Sequence, residues 1–140
     1  MAIAIGFPVA TRADSPLDLA ALKGKVVYLD FWASWCKPCR ESFPWMDSLQ
    51  RSYSNKGLVV VGVNVDQERD LAEKFMQQMN PAFRIVFDPQ GKLAEAFKVS
   101  GMPASFFIDR HGDIRFTHLG FRPERESQLD AELTQLLAEK

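Results

Sequence analysis

The stretch Val26-Val27-Tyr28-Leu29-Asp30-Phe31-Trp32-Ala33-Ser34-Trp35-Cys36-Lys37-Pro38-Cys39-Arg40 decides how this chain is read. Its first seven residues form a nearly continuous apolar run rich in strand formers, which predicts a strand buried on both faces. From Lys37 to about Tyr53 the apolar positions Phe43, Met46, Leu49 and Tyr53 recur at helical spacing, so a helix is expected to start beside the cysteines, with Pro44 kinking it. A strand-to-helix turn of this kind sets the first sulfur over the free N–H groups of the helix, whose dipole stabilises a thiolate. Cys36 is therefore the expected nucleophile, with a depressed pKa and with Lys37 and Arg40 adding positive charge nearby. Cys39, one turn inside, is the expected resolving thiol. Pro38 stands where the helix needs no donor and stiffens the short ring that a Cys36–Cys39 disulfide would close.

Two other uses of the pair compete with this one. A permanent stapling disulfide is poorly motivated, because closing so small a loop gains little chain entropy. A metal centre needs two further ligands, and only His111 and His118, far downstream, are at hand. His111 is expected as a surface turn residue and His118 as a strand residue.

Outward from the cysteines, Phe7 to Thr11 reads as a short edge strand, and the turn cluster at 12–16 leads into the alternating Leu17-Asp18-Leu19, a β-hairpin-like entry. Leu58 to Val65 is a second buried strand. Asp66 to Met79 has a helical pattern through Leu71, Ala72, Phe75, Met76 and Met79, with Asp66 as N-cap, completing a βαβ unit. A short strand at Arg84 to Phe87, a turn at 88–91, a short helix at Lys92 to Phe97 and a break at 100–103 follow. The strand Ala104 to Ile108 then turns through Asp109–Asp113 into a strand at Ile114 to Leu119. A final helix from about Pro123 to Ala138 buries Leu129, Leu133, Leu136 and Leu137. Strands alternating with helices and closed by a hairpin argue an α/β fold with a mixed sheet.

The 140 residues are 46% hydrophobic and 25% charged, the composition of a globular domain rather than of a disordered or fibrous chain. With 17 Lys+Arg against 18 Asp+Glu and no long single-sign run, the chain lacks the basic excess expected of a sequence-independent nucleic-acid binder. No apolar run is long enough to span a bilayer. One domain, 1–140, is expected, with residues 1–6 read as a remnant of a trimmed targeting segment or as a flexible arm.

The segment 30–40 together with Phe43-Pro44, Val63-Asn64-Val65-Asp66, and Gly101-Met102-Pro103 leading into Ser105-Phe106-Phe107-Ile108-Asp109 resembles the thioredoxin superfamily. Residues 22–27, the helix-and-strand segment from Arg69 to Phe87 and the turn from Asp109 to Ile114 further resemble its TlpA/ResA branch. The resemblance implies a thioredoxin fold: a mixed central sheet flanked by helices, here with an N-terminal β-hairpin-like extension and a central αβ insertion. It implies exchange or reduction of disulfides in protein substrates, with no cofactor or metal beyond the Cys36–Cys39 disulfide. It also implies an upstream thiol reductant, such as a membrane thiol-disulfide transporter, and a periplasmic or otherwise extracytoplasmic bacterial location, a cytoplasmic one being the alternative. A monomer is expected.

By the same resemblance Asp30 falls where thioredoxins keep a buried carboxylate behind the resolving cysteine, and Pro103 where they keep a cis-proline facing the disulfide. A buried Asp has a raised pKa and can accept the Cys39 proton. Trp35, Lys37, Pro38, Met102 and Pro103 are the expected substrate-binding residues. Met102 would present its backbone to an extended substrate chain, and Trp35, Pro38 and Met102 would line an apolar patch around the sulfur. Gly62 departs from the thioredoxin pattern, since it stands where a lysine accompanies the buried Asp. Gln67 and Glu68, just past the second strand, are left open as members of the site. The competing reading, from a different class, is a non-catalytic binding module or copper-site chaperone that uses the same groove and the cysteines as soft ligands.

Overall fold

A computed structural model describes residues 17–140. Its core strand is β1 (Val26–Trp32), buried at every position because apolar side chains leave both of its faces. The even-numbered residues face one layer and the odd-numbered the other, as the period of two requires. After the turn carrying Cys36, α1 (Lys37–Tyr53) runs unbroken through Pro44. Then follow β2 (Leu58–Asn64), α2 (Arg69–Met79), β3 (Arg84–Phe87), α3 (Lys92–Ala96), β4 (Ala104–Ile108), β5 (Ile114–Leu119) and α4 (Glu126–Ala138).

The strand order is β3-β2-β1-β4-β5. β1, β2 and β3 are parallel, as βαβ crossovers demand, while β4 pairs antiparallel with β1 and with β5. One layer buries Tyr28 and Trp32 against Phe43, Met46 and Leu49 of α1, Phe75 of α2 and Leu129, Leu133 and Leu136 of α4. The opposite layer buries Leu29 and Phe31 with Val61, Val63 and Phe106, covered by Leu93 and Phe97. At the end of the sheet where β1 and β2 begin, the Arg110 guanidinium donates to the carbonyls of Gly24 (2.7 Å), Lys56 (3.0 Å), Leu137 (2.9 Å) and Glu139 (3.1 Å).

Three expectations change. Leu17-Asp18-Leu19 is not a strand: Leu17 and Leu19 pack beneath the sheet and the chain turns into a 3-10 turn at Ala20–Leu22, so the alternation reflects which side chains touch the core. The expected strand at Phe7 to Thr11 and residues 1–6 lie outside the described residues. β2 ends at Asn64, and α2 starts at Arg69 with Glu68 in the capping position and no side-chain cap, because the Asp66 carboxylate is engaged elsewhere. The last helix opens with a separate 3-10 turn, Pro123–Arg125.

Candidate active site

Cys36 occupies the N-cap of α1 with extended backbone angles (φ −91°, ψ 109°), and its Sγ accepts from the Cys39 N–H at 3.3 Å. The geometry is that of a side chain answering the first free donors of a helix. Pro38 lies in the first turn, where its missing N–H costs no helical bond. Cys36 and Cys39 are joined as a disulfide. Cys39 is wholly buried, whereas Cys36 retains 5% exposure beside Trp35, which is 68% exposed. Of the two cysteines, Cys36 is the less buried. Lys37 is exposed on the first turn. Arg40 is turned toward α2, its guanidinium 4.7 Å from the Phe75 ring centre and 3.1 Å from Gln78 Oε1.

Behind the disulfide, Asp30 is 1% exposed and lies on the face of β1 that carries Tyr28 and Trp32, the layer that also buries Cys39. Burial pushes its carboxyl up from 3.8 to about 8, and a hydrogen bond donated by the Ser105 hydroxyl to Oδ1 (3.0 Å) draws it back in part. Oδ2 is buried with no partner. Across the sheet from Asp30 stand Gly62 on β2 and Ser105 on β4. A methyl group at Gly62 would lie 3.0 Å from both Trp32 Nε1 and the Phe83 ring, so the Trp32 indole fills the space that a side chain at 62 would need. That packing accounts for the glycine and leaves Asp30 with no cation from β2.

Met102 and Pro103 immediately precede β4, and the bond between them is cis, as expected. Pro103 is buried and its carbonyl accepts from Gly120 N–H at 2.7 Å, while Met102 is partly buried against both core layers. Gln67 and Glu68 line a cleft of about 370 Å³ with Trp35, Val65, Asp66 and Leu71, which puts both beside Trp35.

Sequence reasoning passed over the clamp that holds the cysteine turn. The buried Asp66 carboxylate accepts from Ser34 N–H (2.9 Å), Ser34 Oγ (2.9 Å) and Asn64 Nδ2 (2.8 Å), and Asp66 N–H donates to Asn64 Oδ1 (3.0 Å). Ser34 lies two residues before Cys36, so this carboxylate ties the cysteine turn to the end of β2. A polar Asn-x-Asp at the close of an apolar strand was the available signal. His118 sits on β5 as expected, its ring 2.6 Å from Glu132 Oε1, and His111 lies in the exposed turn before β5.

The Redoxin family model matches residues 5–133 of the chain. The chain is 36% identical over 97 residues to the thiol-disulfide oxidoreductase ResA of Geobacillus kaustophilus (strain HTA426), covering 69% of this chain and 56% of that protein. It thus spans little more than half the length of this curated relative. Among solved structures it is similar to the one described as thiol:disulfide interchange protein DsbE from Chlorobium tepidum, at 47% identity and a TM-score of 0.84, covering 86% of this chain and 85% of that one. It is also similar to StoA from Bacillus subtilis, at 30% identity and a TM-score of 0.69, covering 80% of this chain and 84% of that one.

Proposed function

This chain belongs to the Redoxin family, in the ResA-like branch of the thioredoxin superfamily, and from that premise we propose that it reduces or exchanges disulfides in protein substrates. The observation that carries the proposal is the placement of Cys36. Its Sγ caps α1, and Cys36 is the less buried half of a disulfide whose other cysteine is wholly buried.

In the reducing direction the Cys36 thiolate attacks one sulfur of a substrate disulfide. The substrate S–S bond breaks, a mixed disulfide to Cys36 forms, and the second substrate sulfur leaves as a thiolate that takes a proton from water. Cys39 then gives its proton to the Asp30 carboxylate and attacks Cys36 Sγ. The Cys36–Cys39 disulfide forms as the mixed disulfide breaks, releasing the other substrate sulfur. The substrate is reduced by two electrons and the protein is oxidised by two. A dithiol reductant, delivered at a membrane by a thiol-disulfide transporter, restores the starting state in an extracytoplasmic compartment. The redox group is the cysteine pair itself, and the protein acts as a monomer.

Trp35, Lys37 and Pro38 border Cys36, and Met102 with Pro103 supplies the main-chain edge to which an extended substrate segment aligns. Support comes from the exposed indole and from the position of Met102 just ahead of β4. Mixing Cys39→Ser with a disulfide-bonded protein such as insulin should accumulate a mixed disulfide on non-reducing gels, and Cys36→Ser should not. Trapping by Cys36→Ser instead would reverse the roles of the two sulfurs. A binding module or copper chaperone would show no turnover of insulin disulfides with dithiothreitol.

A further inference from the structure

Asp30 and Ser105 face each other across β1 and β4, 1% and 6% exposed, with the Ser105 hydroxyl donating to one carboxyl oxygen at 3.0 Å. The other oxygen is bare, although a buried acceptor without a donor is costly and uncommon. Gly62, which faces Asp30 from β2, offers it no side chain.

We propose that Ser105 is a positioning residue for the resolving step. Its hydroxyl fixes the rotation of the Asp30 carboxyl, so that Oδ1 is tied to β4 and Oδ2 is left as the oxygen that receives the Cys39 proton. This rests on Asp30 being the proton acceptor. The proton passes from Cys39 Sγ to Oδ2, the resulting thiolate bonds to Cys36 Sγ, and the bond from Cys36 to the substrate sulfur breaks with its electron pair leaving on that sulfur.

A hydroxyl donor also favours the ionised carboxyl, the form that can accept a proton. The groups around Asp30 make this single donor decisive. From its own strand comes the Tyr28 phenol, buried, held high by desolvation and also in contact with the Ser105 hydroxyl. From β4 comes Ser105 and from β2 only Gly62, while on α1 Cys39 is buried in the same layer and the Ser42 hydroxyl is bonded to Cys39 O at 3.0 Å. Among the described residues no cation acts on the Asp30 carboxyl, whose position is set by burial and by Ser105.

The experiment is stopped-flow reaction of the fully reduced protein with one equivalent of 5,5′-dithiobis(2-nitrobenzoic acid) between pH 5.5 and 9. The first thionitrobenzoate released reports attack by Cys36, and the second reports resolution by Cys39. Ser105→Val should move the pH midpoint of the second phase upward by about one pH unit and slow that phase about 10-fold at pH 7, with the first phase unchanged. Ser105→Thr, of the same shape but with the hydroxyl, should retain the wild-type profile, which separates the hydroxyl from any packing effect. If Ser105→Val and Ser105→Thr share the wild-type profile while Asp30→Asn slows resolution, the proposal is overturned and the role of Asp30 stands. If Asp30→Asn itself resolves at the wild-type rate at every pH, the proton leaves by another route and both readings fall.

Discussion

Replacing Asp30 by Asn in the oxidised protein should uncouple stability from pH over a window set by the buried carboxyl. The folded protein holds this group's proton up to about pH 8, whereas an unfolded chain releases it near 3.8. Between those values the native state binds more protons than the unfolded one, so wild-type stability falls as pH rises. The loss is fully developed only above the folded value. At 1.36 kcal/mol per pH unit, the wild type should lose about 4 kcal/mol relative to Asp30→Asn between pH 5 and pH 8. Keeping Cys36 and Cys39 joined removes both thiols from the titration, and every other ionisable group is common to the two proteins. Urea denaturation at pH 5, 6, 7 and 8, followed by tryptophan fluorescence, gives the difference directly. Asn leaves one buried polar atom unpaired much as Oδ2 is now, so the absolute offset matters less than the slope. A difference that stays constant within about 0.5 kcal/mol would refute the reasoning, since such additive behaviour is expected when the site carries no linked proton.

Three further outcomes follow from the geometry. Arg110→Ala should cost about 2 kcal/mol in denaturant titrations, because four backbone carbonyls lose one guanidinium, and Arg110→Lys should restore only part of it since an ammonium lacks the planar fork. Asp66→Ala should destabilise the fold by about 2–3 kcal/mol and alter the fluorescence of the neighbouring Trp35, because three donors lose their acceptor. Trp35→Ala should raise KM for reduction of a protein disulfide about 5-fold, equivalent to roughly 1 kcal/mol of lost contact, while leaving attack on the small aromatic disulfide unchanged; steady-state insulin reduction alongside stopped-flow separates the two.

What was legible in the sequence divides along a physical line. β1 and α1 are specified by local patterns, an apolar run without polar interruption and a helical stripe beginning at the cysteines, and both match their expected limits. β3, β4 and β5 likewise end where turn residues sit. The burial of Asp30 could be read because one carboxylate stands in a run whose neighbours on both sides must be inside. Asp66 could not be read in that way. An Asp before a helical pattern is the ordinary mark of an N-cap, and only the fold brings Ser34, 32 residues earlier in the chain, within reach to claim its carboxylate. Ser105 was hidden for a similar reason, since a small hydroxyl within a strand is unremarkable until antiparallel pairing sets it opposite Asp30. The alternation at Leu17–Leu19 has the period of a strand without the partner edge that would make it one.

The Arg110 pin has a practical meaning for how the molecule is handled. It fastens the carbonyls of Leu137 and Glu139, and hence the last residues, to the pole where β1 begins, while Cys36 follows the far end of that strand. Seven residues of extended chain put roughly 20 Å between the two poles. A molecule biotinylated or fused at Lys140 would accordingly stand with its sulfur pair pointing away from the support. Every copy on a bead or sensor chip would then offer the same face to solution, which makes Lys140 the attachment point of choice for fishing mixed-disulfide partners out of a complex sample.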